Sequence, residues 1–321
     1  MASNISTIPP DAILNPYTPL VFLPPNIAYQ LQVICYIHVA TLAAFTWDWL
    51  MAIPEEYRII RQVGLSRPNV AYFLSRFGTF GTCLSTTIFK IALIDDCKAI
   101  KYVEGAFLEI GVTATSLLFF FRVKAVYNNS RIITAFFGLL WLAITGLNIL
   151  ILSGMSKHHI PHTRRCFEST APKYSTAPFI LAALNDTLVF LAISYHILSS
   201  AMVSSTWSAR VKSFVTGNGL LHLSKALLQS GQVYYFVTIG MAIATTAFIL
   251  SPGVPGVLKP VLGSVYIALS SAMACRVYRV ILGVLTDFQD SHPTTNTILS
   301  SIVQPTILSA TKAYSTISNR R

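Results

Sequence analysis

The feature that most constrains this chain is an apolar run from Ala28 to Ile53 that carries a single charge, Asp48. Wound as a helix at 1.5 Å per residue, about 26 residues reach about 39 Å, more than the ~30 Å hydrocarbon core of a bilayer. The run ends at Pro54 among the charges of Glu55, Glu56 and Arg58, which reads as a membrane exit followed by a turn back into the bilayer. Further apolar segments follow at Val70–Ile94, Val103–Ala125, Ile132–Ser153, Ala177–Ser200, Leu227–Leu250 and Val261–Ile281. They are continuous and lack the alternation of apolar and polar residues that lipid-facing strands need. The pattern therefore predicts an all-α membrane protein, a seven-transmembrane helix bundle in preference to a barrel.

The charge content agrees. Only 11% of residues are charged and 53% are hydrophobic, where an average soluble domain has roughly 25% charged residues. The net charge of +11 is spread as short basic clusters between apolar runs, which suits juxtamembrane anchoring better than nucleic acid. The expected partner is thus a lipid bilayer and not a nucleic acid. No Lys or Arg precedes Arg58, so the basic n-region of a cleaved signal peptide is missing and the N-terminal tail is expected to be retained.

Seven spans put the termini on opposite sides. Arg58, Arg61, Arg67, Arg122, Lys124, Arg131, Arg210, Lys212, Lys225, Arg276 and Arg279 then share one side, against Lys98, Lys101, Lys157, Arg164, Arg165, Lys173 and Lys259 on the other, 11 against 7. The basic excess favours the first side as cytoplasmic and the N-terminus as outside. Residues 1–27 read as an extracellular proline-rich tail, with a glycosylation sequon at Asn4-Ile5-Ser6. Residues 28–285 read as the bundle, and residues 286–321 as a Ser/Thr-rich, mostly disordered cytoplasmic tail. An integral protein of the plasma membrane or another membrane of the secretory pathway is expected.

Charges inside the spans are costly and call for partners. Asp48 and Arg76 fall at matching depths in the first and second spans and are predicted to form an intramembrane ion pair. Lys90 could likewise meet Glu104 or Glu109. Asp186 lies near the middle of the fifth span with no basic residue evident at its depth, and Gln232 is a plausible neutral neighbour. A polar-floored ligand pocket built from Glu109, Asn185, Asp186 and Gln232, with Phe190 and Tyr235 as walls, is one reading. Protonated packing residues and ion pairs that fix helix contacts are the plainer one.

Cys35, Cys83 and Cys275 fall in spans as packing residues, while Cys97 and Cys166 fall in loops on the outer side. There they are expected to form a disulfide, or else to remain two free thiols. His158, His159 and His162 near Cys166 suggest a metal site, but Pro161 interrupts any shared helical face and no acid has ligand spacing, so a solvated basic loop is preferred and no metal is expected. No catalytic or cofactor motif stands out, and neither an enzyme nor a cofactor is expected.

The runs Trp47-Asp48-Trp49-Leu50, Pro54-Glu55-Glu56-Tyr57-Arg58-Ile59-Ile60 and Tyr72-Phe73-Leu74-Ser75-Arg76 resemble the N-terminal signature of an uncharacterised seven-transmembrane family of basidiomycete fungi. The resemblance extends through Asp96-Cys97, Leu117 to Tyr127, and Ser271 to Arg276. It implies the same topology and an N-terminal domain of unknown function, at most receptor-like. The reading that results is an orphan receptor-like protein with a small-molecule ligand and a cytoplasmic signalling partner; the alternative is a membrane transporter or channel.

Overall fold

The computed structural model describes residues 25–64, 66–92, 94, 96–128, 130–154, 157–159, 166–168, 176–201 and 222–291. The sequon, most of the N-terminal tail, His162, and the C-terminal tail beyond Ser291 lie outside the described residues. Among those described, the chain forms α1 (Pro25–Val63), α2 (Arg67–Ile91), α3 (Cys97–Val126), α4 (Arg131–Gly154), α5 (Ala177–Ala201), α6 (His222–Leu250) and α7 (Val261–Ser291). A short antiparallel ribbon, β1 (Lys157–His159) with β2 (Cys166–Glu168), joins α4 to α5. Pro25–Arg61, Cys97–Val126, Arg131–Leu152, Ala177–His196 and Val261–Gly283 are each long and apolar enough to cross a membrane. The protein is an all-α integral membrane protein.

The ends of the helices follow local chemistry. Gly64 takes a positive φ of 68° after α1, a conformation glycine adopts without Cβ strain. Ser66 then caps α2 by accepting from the Asn69 N–H at 3.4 Å, with Pro68 in the first turn. Asp96 caps α3, accepting from the N–H groups of Lys98 and Ala99 at 2.8 and 3.1 Å.

One expectation fails at Pro54. Helix α1 runs through it to Val63, so the proline does not end the helix. Proline removes one backbone hydrogen bond, but the turns on either side of it bury Ala52, Glu56 and Ile59. The Trp49 indole also spans the proline to reach Glu56 Oε2 at 3.2 Å. Tertiary contacts on both sides outweigh the local defect. Helix α1 begins at Pro25 and α7 reaches Ser291.

Helix α2 is the interior strut, packed against α1, α3 and α7. Its buried face carries Ser75, Thr79, Thr82, Ser85, Thr86 and Thr87, which explains why its composition is less apolar than that of a lipid-facing span. Thr82, Ser85 and Thr87 spend their protons on the carbonyls of Gly78, Gly81 and Cys83 one turn back. The α2 and α3 backbones approach through glycine: a Cβ on Gly78 would collide with Gly111 N, and one on Gly111 would lie 2.9 Å from Thr79 N. Helix α4 is peripheral. It turns Ile132, Leu139 and Leu150 outward, 83, 67 and 69% exposed, an apolar face suited to lipid rather than water.

A Gly78→Ala substitution should lower the melting temperature of the purified protein, since overpacking costs about 1–3 kcal/mol. Gly146→Ala, with open space around the added methyl, should leave it unchanged or raise it slightly.

Candidate functional site

The polar chemistry collects in two places. The first is a charge network where α1, α2 and α7 meet. Arg76, fully buried, donates from Nη1 to Asp48 Oδ2 at 2.8 Å and has Nε 3.7 Å from Glu56 Oε1. Glu56 also accepts from the Tyr72 hydroxyl at 2.6 Å and from Trp49. Arg279 donates from Nε to Glu55 Oε2 at 2.7 Å and from Nη1 to the Tyr72 hydroxyl at 3.0 Å. Arg276 reaches the second oxygen of Asp48 at 3.4 Å. Tyr278 donates to Asn69 Oδ1 at 2.6 Å, and Asn69 in turn holds the Gly64 carbonyl. Three carboxylates face three guanidiniums, so the network is neutral as a whole, which is how charges persist at low dielectric.

The predicted neighbours Asp48 and Arg76 are thus brought together, but as part of a larger assembly. Glu56, Tyr72 and Arg279 escaped sequence reasoning. Their signals were present: Asp48 to Glu56 is about two helical turns, Tyr72 to Arg76 is i,i+4, and Arg276 to Arg279 is i,i+3. Which helix would face which was not readable.

The second place is a cavity of about 40 Å³ among α3, α4, α5 and α7. It is lined by Thr115, Ser116, Asn185, Asp186, Tyr266 and Ser270, with Val112, Phe119, Ile144, Ala182 and Ile267 as apolar walls. Asp186 is 8% exposed, and among the described residues it accepts one hydrogen bond, from Asn185 Nδ2 at 3.4 Å. Contrary to the sequence reading, a basic residue acts on it: Arg122 and Asp186 interact electrostatically, with no ion-pair contact between them among the described residues. The guanidinium of Arg122 is turned inward, donating to the Ala274 carbonyl and resting over the Phe119 ring at 5.2 Å. Its place in the chain had suggested a loop anchor; near the end of α3 it instead packs half-buried against the middle of α7.

Other expected site residues are elsewhere. Glu109 accepts from Thr113 at 2.7 Å and does not line the cavity. Phe190 and Tyr235 stack on each other between α5 and α6, with centroids 4.2 Å apart, rather than walling the cavity. The side chain of Gln232 lies outside the described residues. At the far end of α3, Cys97 and Cys166 form a disulfide with Cα atoms 5.7 Å apart, which ties the ribbon to that helix. Cys166 is thereby unavailable as a metal ligand.

A hydroxyl chain runs from the cavity wall toward the charge network. Thr115 Oγ1 donates to the Gly111 carbonyl, so its 2.7 Å contact with Ser75 Oγ must be accepted, with Ser75 as donor. Ser75 Oγ then accepts from Ser271 at 2.9 Å and from the Cys275 thiol at 3.8 Å. Thr115 lines the cavity, and Ser75 immediately precedes Arg76.

These features define a multi-span helical membrane protein with a buried polar interior. Residues 36–81 match a family of unknown function, DUF6533. The matched stretch contains every α1 and α2 side chain of the charge network: Asp48, Trp49, Glu55, Glu56, Asn69, Tyr72 and Arg76. No curated protein matches the chain.

Asp48→Asn and Arg76→Gln should each destabilise the protein, by about 3–5 kcal/mol at most. Glu56 remains for Arg76 and Arg276 for Asp48 in the respective variants, which reduces the loss. In a double-mutant cycle read by thermal unfolding, the combined loss should fall short of the sum by about 0.5–3 kcal/mol. Strict additivity would show that the pair contributes nothing.

Proposed function

We propose that the chain is a seven-span receptor-like protein, N-terminus outside and C-terminus in the cytoplasm, that reports the state of the Asp186 cavity at the opposite end of the bundle. Helices α2 and α6, of 25 and 29 residues, supply the two crossings beyond the five apolar ones. Each exceeds the roughly 20 residues a span requires. The disulfide supports the orientation, since such bonds persist on the oxidising side of a membrane. The excess of basic residues at the other end agrees with it.

The observation that carries the receptor reading is the chain from Thr115 through Ser75 to the neighbourhood of Arg76. A sensor needs two sites and an element both can bias. Here the cavity is one site, the charge network is the other, and α2, α3 and α7 are shared between them. A transporter using Asp186 is the alternative; it requires the cavity to open in turn to each face. At about 40 Å³ the cavity accepts water-sized contents, whereas pockets for drug-sized ligands are about 300–1,000 Å³. A larger ligand would therefore act by stabilising a different, more open arrangement of α3 and α5.

Spin labels at the exposed positions Arg67 and Arg131, near the start of α2 and α4, test the coupling. Asp186→Asn should shift the distance distribution between them, and an unchanged distribution would count against a sensor. Ion or solute flux into proteoliposomes that disappears in Asp186→Asn would select the transporter. For topology, protease added to intact cells should remove an N-terminal epitope and spare a C-terminal one; the reverse would overturn the orientation.

A further inference from the structure

We infer that the end of the bundle opposite the disulfide is a docking surface for the headgroups of anionic phospholipids, held by Arg58, Arg61, Arg67, Lys124 and Arg131. The charge balance of that end singles these residues out. Its carboxylates whose side chains are described are all engaged: Asp48 holds Arg76 and Arg276, Glu56 faces Arg76, and Glu55 accepts from Arg279. Among the described residues, none of the five named cations has a carboxylate within ion-pair distance. Four of them are exposed and Lys124 is half-buried. The other end differs, since Lys98 and Lys101 share the first two turns of α3 with Asp96 and Glu104.

Helix length puts the cations at headgroup level. Arg67 opens α2 and Arg131 opens α4, helices of 25 and 24 residues. At 1.5 Å per residue these reach about 38 and 36 Å, only a little more than the ~30 Å hydrocarbon core, so their first residues fall in the polar layer at its border. Arg58 and Arg61 belong to the last two turns of α1, just before the turn at Gly64 that leads to Arg67. Lys124 lies in the last turn of α3, a few residues before Arg131. Because α1 packs on α2, α2 on α3 and α3 on α4, the five form one continuous rim.

The side chains beside the rim choose its partner. Tyr57 and Ile60 on α1, Val70 on α2 and Ile132 on α4 are exposed and apolar, which suits them to lipid. The guanidinium of Arg61 rests 5.2 Å from the centre of the Tyr57 ring, an aromatic and basic pairing that fits the border between hydrocarbon and headgroups. A soluble acidic partner would have to compete with the bilayer for these same side chains. Each cation near the surface favours an anionic over a neutral bilayer by about fivefold. With the N-terminus outside, this end meets the cytoplasmic leaflet, which carries the anionic lipids. The inference needs only that the five cations share one end of the bundle, and it holds whether or not the protein signals.

The test is the selectivity of the full chain, reconstituted in vesicles, for spin-labelled phosphatidylserine over spin-labelled phosphatidylcholine, read by electron paramagnetic resonance as the fraction of motionally restricted lipid. The native sequence should prefer the serine lipid severalfold in about 0.01 M salt. Most of that preference should vanish in about 1 M salt, where the screening length falls from about 30 to about 3 Å. Arg58→Gln, Arg67→Gln and Arg131→Gln combined should bring the low-salt preference close to one. Lys98→Gln, Lys101→Gln and Lys259→Gln combined remove the same charge from the opposite end and should leave most of it. A native chain without preference overturns the surface and leaves the rim to a soluble acidic partner. A preference untouched by the arginine set overturns it too, as does one reduced equally by both sets, which would report net charge alone. Should the arginine set fail to fold, single Arg58→Gln and Arg131→Gln variants decide: each should lower the preference, and no change in either overturns the proposal.

Discussion

A charge left alone in hydrocarbon costs more than a helix contact returns, and that constraint organises this bundle. Arg76 sits in the interior of α2 with no exposure, and α1 and α7 must bring acids to it or to its neighbours. Once Asp48 and Glu56 are in place, Arg276 and Arg279 complete the balance from α7. The helices that supply these groups then have their rotation and depth set within narrow limits. Apolar faces packed in lipid set neither, because lipid tails are as apolar as Leu and exert no hydrophobic force between helices.

The second device is close approach. Gly78 and Gly111 let the backbones of α2 and α3 meet, which puts Ser75 against Thr115 and aligns the hydroxyl chain. Packing and polarity therefore cooperate: the glycines create the proximity, and the hydroxyls give it a preferred register. The same contact places the cavity wall on α3 next to the charge network on α2. A change at either end has only a few side chains to cross.

The family match falls on that geometry. It covers the C-terminal part of α1 and the first part of α2, the stretch that holds the acids, aromatics and arginine of the network. The partners from α7 lie outside it. The charge network is thus built from a recognisable sequence unit completed by a helix about 200 residues later in the chain.

The sequence by itself determined the class of protein and the residues under electrostatic stress. Hydrophobic run length decides membrane insertion with no reference to tertiary contacts, which is why the apolar helices were legible. Asp48, Arg76 and Asp186 stood out because a charge in an apolar run is visible in one dimension. Only the tertiary structure decided which helix meets which. Pro54 looked like a terminus because its local cost is legible, whereas the contacts of Trp49 and Glu56 that override it are not. Arg122 looked like a loop anchor because its partial burial depends on the middle of α7 packing against it. Glu109 and Asp186 looked like members of one pocket because depth along a helix can be counted, while rotation about its axis follows from packing. Helix periodicity gives a face but no partner for it, and the partner is what separates a ligand wall from a helix contact.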